Sequence, residues 1–396
     1  TLDRSSAASD VYKRQLPLLL GVSVLALTGC AQWGPQAPEK DKTYAITILH
    51  TNDHHGRFWK NRDGEYGMAA RKTVIDQIRQ EVQAAGGYSL LLDGGDVNTG
   101  VPESDLQDAV PDFRGMNLLG YDAMAVGNHE FDKPPVVLQM QRDLATFPML
   151  SANIYKDGQR MFSPYKVFNL GGVRVGVMGL TTEDTQKMVH PDNIRGVTFA
   201  DTQTETAKLL PELRQKADVV IAATHMGHYE NGQHGVQAPG DVELARAVKG
   251  LDLIVGGHTQ NPACMKAENV LDRAYVPGTE CKPDRQNGTW IVQAHEWGKY
   301  VGRADFTYRN GEFKLVKYAL IPINLKKPVK TADGKTVLQT YTPEIAESPE
   351  MLKLLQPFQD FGQQKLLVEV GSSDGKLEGD RAAVSYTHLR AHETRH

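Results

Sequence analysis

Five short polar segments carry most of the chemistry in this chain: Asp53-x-His55, Gly95-Asp96, Gly127-Asn128-His129-Glu130, His225 and Gly257-His258-Thr259-Gln260. Their donors are carboxylate, amide and imidazole, with no thiolate among them. Such oxygen and nitrogen sets suit manganese, zinc, cobalt or magnesium better than a closed structural zinc site. The donors outnumber what one ion needs, which points to two. Two divalent ions a few ångströms apart can share a carboxylate, hold a hydroxide between them and clamp an in-line displacement at phosphorus. Any one of these segments alone is a weak signal. Their ordered series is a strong one, because five independent coincidences would be needed to produce it.

The elements that must position these groups are legible as short apolar runs. Tyr44–Leu49, Tyr88–Leu92, Asp122–Val126, Val173–Met178, Val219–Ala223 and Leu253–Val255 each end in a tight polar turn, and five of those turns carry Asp, Asn or His. Met68–Val82 has helical spacing, with Val74, Ile75, Ile78 and Val82 on one side. Strands alternating with helices predict a layered α/β fold, in which ligands gather at the strand C-termini. Glycines at 94, 95, 256 and 257 are expected to allow tight turns or close backbone approach. Farther along, Trp290–Ala294, Gly302–Tyr308 and Phe313–Leu320 read as antiparallel strands, with a hairpin turn at Asn310-Gly311. Pro343–Pro349 is linker-like, Met351–Gln363 a helix, and Leu366–Gly371 the opening strand of a second domain.

Composition narrows the classes of function. In 396 residues, 44 Lys and Arg stand against 48 Asp and Glu, a net charge of −4 with no basic stripe, which argues against a nucleic-acid polymer as partner. Hydrophobic residues at 40% and charged ones at 23% are ordinary for a folded globular chain. Three cysteines without CxxC spacing exclude a disulfide scaffold or a structural zinc knuckle. No apolar run reaches the roughly 18–20 residues of a membrane-spanning helix.

Both termini read as something other than native protein. The last six residues of Ser5–Gln15, DVYKRQ, are encoded by GATGTGTATAAGAGACAG, and VSYTHL at Val384–Leu389 by the reverse complement in another frame. Residues 1–15 and 384–396 are therefore expected to be translated sequencing-library adapter, which removes His388, His392 and His396 as candidate ligands. Leu16–Leu27 has the length of a signal-peptide apolar core, placing a signal peptide over 16–29. Leu27-Thr28-Gly29-Cys30 resembles the lipobox of bacterial lipoproteins, which implies lipidation at Cys30, with residues 30–43 as a tether. Ala31 after that cysteine favours the outer membrane, by analogy with such lipoproteins. The expected location is thus the bacterial cell envelope, periplasmic or anchored to the outer membrane.

The ordered series of metal motifs resembles that of the calcineurin-like metallophosphoesterases. The longer stretches LHTNDHHGRFW, DGGDVNTGVPESDLQDA, GNHEFD, ATHMGHYENGQHG, PGTECKPD and QAHEWGKYVGRADF resemble the bacterial periplasmic 5′-nucleotidase/UDP-sugar hydrolase family. The likeness runs from about Tyr44 to Arg381. It implies a four-layer α/β/β/α sandwich over 44–345, a linker and helix over 346–364, and a truncated C-terminal nucleotide-binding domain beginning at 365–383. Asp53, His55 and Gln260 would hold one divalent ion and Asn128, His225 and His258 the other, with Asp96 bridging both. His129 would face the phosphate, oriented by Asp132. The chemistry agrees: a carboxylate has two oxygens to share, and neutral Asn and Gln leave the site less negative toward an anionic phosphate. The implied substrates are nucleoside 5′-monophosphates and nucleotide sugars, and the implied state is a monomer. Base and sugar would be gripped by the C-terminal domain, from which Arg381 alone lies ahead of the adapter-like tail. In an exported protein Cys264 and Cys281 are expected to pair, as the resemblance supports, with two free buried thiols the alternative.

Several neighbours read as structural. His54 would point away from its ligand neighbours, His50 would pack in the core, His295 is not expected to be a ligand, and His190, His228 and His234 are expected at the surface. Two other functions compete with the nucleotidase: a 2′,3′-cyclic nucleotide phosphodiesterase/3′-nucleotidase sharing the metal motifs, and a non-catalytic surface binding protein on the same fold. The complete donor set weighs against the second.

Overall fold

The computed structural model describes residues 37–368. The proposed adapter segments, the signal peptide, Cys30 and Arg381 lie outside them.

Two six-stranded sheets form the centre. In the first, Tyr44–Thr51 runs parallel to Tyr88–Asp93, which is followed by Ala123–Ala125 and Met149–Leu150. Its other edge is antiparallel: Tyr300–Arg309 pairs with Tyr44–Thr51, and Glu312–Pro322 pairs with Tyr300–Arg309. In the second, Val219–His225 lies parallel to Val173–Thr181 and Leu253–Val255, and Thr289–Val292 continues the parallel set. Tyr165–Leu170 and Asp284–Gln286 close the two edges antiparallel. The six apolar runs read from the sequence are thus parallel strands, three in each sheet.

Alternation along the strands explains the layers, because successive side chains point to opposite faces. Ile46, Ile48, Leu90 and Leu92 meet Val175, Val177, Val219 and Ile221 between the sheets. Leu49 and Leu91 point the other way, onto the helices Met68–Ala84, Val110–Leu119 and Pro349–Leu366. Met178, Leu180, Val220 and Ala222 face Thr202–Lys216 and Asp241–Ala247 on the far side. The order is helix, sheet, sheet, helix. Each of the buried Val, Leu, Ile and Met side chains among these contributes about 1.5–3 kcal/mol of transfer free energy. Gly179 lets the sheets close up, since a Cβ there would strike the Leu150 backbone.

Local signals fix the ends of elements. Asp201 accepts from the Thr204 amide at 2.7 Å and starts Thr202–Lys216, while Ser348 with Pro349 starts the helix Pro349–Leu366. Asn310 and Gly311 both have positive φ, 50° and 88°, as the two-residue hairpin turn requires. One expectation needs correction: Leu366 closes the helix Pro349–Leu366 instead of opening a strand. The backbone stays helical to its end, where the Leu367 amide still donates to Gln363 O, and residues 369–371 lie outside the described range.

Candidate metal centre

All seven sequence-predicted donors converge on one rim of the sandwich, where the parallel strands of both sheets end. Tyr44–Thr51 delivers Asp53 and His55, Tyr88–Asp93 delivers Asp96, and Ala123–Ala125 leads into Asn128. From the second sheet, His225 is the last residue of its strand, and Leu253–Val255 leads to His258 and Gln260. Five of these donors, Asp53, His55, Asp96, His258 and Gln260, have φ between 49° and 81°. Non-glycine residues rarely adopt that backbone, and it persists only where the surroundings enforce it. Here the strand ends lace each other: the Asp53 amide donates to Gly95 O at 2.9 Å, that of His55 to Asp96 O at 3.0 Å, and that of His258 to the Asp53 carboxylate at 2.9 Å. Gly94 and Gly257 face one another across the sheets, so that a Cβ on Gly257 would stand 2.7 Å from Gly94 O.

Asp96 stands between two donor groups. On one side its Oδ2 is 2.9 Å from His225 Nε2. Asn128 Oδ1 is 3.1 Å from that nitrogen and 3.0 Å from His258 Nδ1. On the other side His55 Nε2 is 3.8 Å from both Asp96 Oδ2 and Asp53 Oδ1, and the Gln260 amide reaches it at 2.6 Å. Ligand atoms of Asp96, His225 and His258 fall within 4.8 Å of one another, as do those of His55, Asp96 and His129. Lone pairs aimed at a common point, with one carboxylate in both groups, fit a pair of divalent cations. Backbone carbonyls fix the imidazoles: Gly94 O lies 2.8 Å from His225 Nδ1 and Thr99 O lies 2.9 Å from His55 Nδ1, leaving Nε2 of each for a metal.

The charges are strongly coupled. Burial opposes a proton on His225, but the Asp96 carboxylate overrides it and raises the imidazole to about 10. Burial, then the neighbouring His225, lowers His258 to about 4. His129 stands half-exposed at the rim, its Nδ1 2.6 Å from Asp132 Oδ2 and its Nε2 4.0 Å from Asp96. Burial works against its charge, yet the Asp132 hydrogen bond and Asp96 outweigh it and raise it to about 9.

A supporting layer escaped sequence reasoning. Glu130 is fully buried and accepts from the amides of Asp96, Val97, Asn98 and Gly127 at 2.7–3.2 Å, tying two ligand loops to one carboxylate. Its place in Gly-Asn-His-Glu was the available signal, but its neighbours gave no sign of its partners. Thr99 also acts twice: besides orienting His55, its hydroxyl donates to Asp132 at 2.6 Å.

The remaining histidines sort themselves out. His54 turns inward to Asp112 at 2.8 Å, and His50 is buried beside Tyr318, both as expected. His190 is exposed and His234 half-buried. His228 is not a surface residue: it is buried with Nε2 2.8 Å from Asp284 Oδ2, because the edge strand Asp284–Gln286 brings that carboxylate over it. Cys264 and Cys281 form a disulfide.

A helix-flanked double sheet whose strand ends gather a shared carboxylate and opposed imidazoles defines the class of layered α/β proteins with a candidate two-metal rim. The chain belongs to the calcineurin-like phosphoesterase family, whose match spans residues 46–262. It is 63% identical over 354 residues to the protein UshA of Yersinia enterocolitica, covering 88% of this chain and 64% of that one. It is 57% identical over 378 residues to the 5′-nucleotidase of Vibrio cholerae, covering 94% and 68%. Among solved structures, Haemophilus influenzae NAD nucleotidase superposes with a TM-score of 0.66 at 20% identity, over 84% of this chain and 63% of that one, a likeness of fold. A Thermus thermophilus 5′-nucleotidase precursor gives 0.63 at 28% identity, over 86% and 63%. The chain therefore spans just under two thirds of the first relative and of both structures. The family uses two divalent metal ions, and the donors for both are present here.

Proposed function

We propose that this chain is the metal-holding portion of an exported phosphohydrolase that cleaves nucleoside 5′-monophosphates to nucleoside and phosphate, and nucleotide sugars to UMP and sugar 1-phosphate. The observation that carries the reading is Asp96, flanked by His225 on one side and His55 on the other, at the rim where His129 opens to solvent. The names of the most similar relatives support it.

Bound divalent ions would polarise a phosphoryl oxygen and lower the pKa of an attacking water. This chain's residues do the rest. Asp96, Asp53, His55 and Gln260 would hold one ion, and Asp96, Asn128, His225 and His258 the other, and the neutral Asn128 and Gln260 leave the rim less negative toward an anionic phosphate. As water oxygen bonds to phosphorus and the ester or anhydride P–O bond breaks, the leaving oxygen needs a proton. His129, protonated and oriented by Asp132, is placed to supply it or to neutralise the departing charge. In the same reading Arg381 contacts the nucleotide, Cys30 carries a lipid anchor in the cell envelope, and the protein is monomeric.

The test is hydrolysis of AMP, UDP-glucose and 2′,3′-cyclic AMP by the manganese-loaded protein, with and without a chelator. Activity on the first two that chelation abolishes is expected. Preference for the cyclic ester would favour the phosphodiesterase, and indifference to the chelator would remove the metal assignment.

A further inference from the structure

His54 stands between two donors, Asp53 and His55, and is not a donor itself. Both neighbours have left-handed backbone, with φ of 51° and 49°, and Gly56 follows at 70°. The His54 side chain is buried, and both of its ring nitrogens are taken. Nε2 lies 2.8 Å from Asp112 Oδ1, on the helix Val110–Leu119. Nδ1 lies 3.3 Å from Arg71 Nη2, on the helix Met68–Ala84. A guanidinium only donates, so Nδ1 accepts and Nε2 carries the ring proton toward Asp112. The other oxygen of Asp112 accepts from Ser104 Oγ at 2.5 Å. Arg71, Asp112 and Ser104 are all buried.

The same network bears on the ligand loop at two further points. A Cβ on Gly298 would strike the Arg71 guanidinium, and the amide of the adjacent Trp297 donates to Asp53 O at 2.7 Å. Ser104 seats Gly56, where an added Cβ would stand 2.7 Å from Ser104 Cβ. Among the described residues, Arg71, His54, Asp112 and Ser104 make no hydrogen bond to Asn128, His225 or His258. Those donors are held by other contacts, His225 by Gly94 O. A donor whose backbone sits in an uncommon conformation is only as well placed as the contacts that enforce it.

We propose that Asp112 and Arg71 are positioning residues for one of the two ions, the one served by Asp53, His55 and Gln260, and that they act through His54. The inference rests on the two-ion centre and is independent of which ester is hydrolysed. Its signature is asymmetry. Loss of the network loosens one cation and spares the other, where a general loss of stability would loosen both.

The experiment is a chelator-buffered zinc titration of the full chain, followed on imidazole NMR signals. His55 reports one ion, and His225 and His258 report the other. Urea denaturation of each variant checks folding. In Asp112→Ala the His55 midpoint should rise about tenfold, the lower end of what losing an outer partner costs a metal site, while those of His225 and His258 stay in place. Arg71→Met should do the same. Asp112→Asn should restore the His55 midpoint, because its amide oxygen still accepts from His54 and its NH2 can donate to Ser104. Ser104→Ala removes a single hydroxyl, serves if the larger changes do not fold, and should move His55 alone by about threefold. Shifts shared equally by the three histidines, no shift in any folded variant, or Asp112→Asn matching Asp112→Ala overturns the proposal. Zinc that moves none of the three in the wild type would overturn the two-ion centre as well. Asymmetric zinc loss in a chain that hydrolyses no nucleotide would instead sink the phosphohydrolase reading and leave the positioning role standing.

Discussion

His129 and Glu130 are adjacent and do opposite kinds of work. His129 faces out, and its imidazole is held by Asp132 alone. Replacing it with alanine should lower kcat by about 10²–10⁴, the usual worth of a positioned acid or base. Two ions per chain should remain by elemental analysis, since seven other donors are untouched. Glu130 faces in and should behave in reverse. Glu130→Gln replaces one acceptor oxygen with a donor amide beside buried N–H groups, at about 1–3 kcal/mol for each group left unpaired. Chemical denaturation should show that loss, and metal affinity should fall with it, because the amides of Asp96 and Gly127 lose their anchor. If Glu130→Gln kept full stability while His129→Ala lost its ions, the two roles would be exchanged.

At the scale of elements, the disulfide joins cysteines with a sequence separation of 17. Opening it with Cys264→Ser and Cys281→Ser together should cost about 3 kcal/mol of stability through loop entropy. Urea denaturation of oxidised wild type against the double variant measures this, and the metal-site strands, which the loop leaves at Pro262, should be unaffected. The elements themselves were largely legible beforehand. Runs such as VVIAA and VRVGVM announce strands buried on both faces, and Asn310-Gly311 announces its hairpin. What the sequence could not show was partition: nothing in Val173–Met178 says that it belongs to a different sheet from Tyr44–Leu49, because both are equally apolar. The edge strand Asp284–Gln286 is too short and too polar to be seen. Missing it left His228 misplaced at the surface, since only that strand supplies the Asp284 carboxylate that buries it.

For the molecule as a whole, buried carboxylates that brace the ligand loops without being ligands themselves set a pH dependence. Burial raises Asp93 and Asp241 to about 7, against the hydrogen bonds from Thr51 and Thr224 that favour their ionised forms. The folded state then holds protons that the unfolded chain releases near pH 4. Stability from these two groups is complete below that pH and is lost as pH rises through 7. Asp241→Asn should therefore gain roughly 2–4 kcal/mol relative to wild type between pH 4 and 8, at about 1.4 kcal/mol per pKa unit. Urea midpoints of both metal-free proteins across that range test it, and parallel curves would refute the assignment. The donor series was visible in the sequence because its residue types are chemically specific. The supporting layer was not, because Glu130, Thr99 and Asp112 act through backbone amides or partners far along the chain.

The left-handed backbone at five of the seven donors has a further meaning. Interlocked strand termini fix the backbone from which those oxygens and nitrogens project, which makes a stiff cage. Ions of unequal radius must accept its dimensions, so exchanging one metal for another should alter occupancy and rate while leaving the surrounding architecture in place.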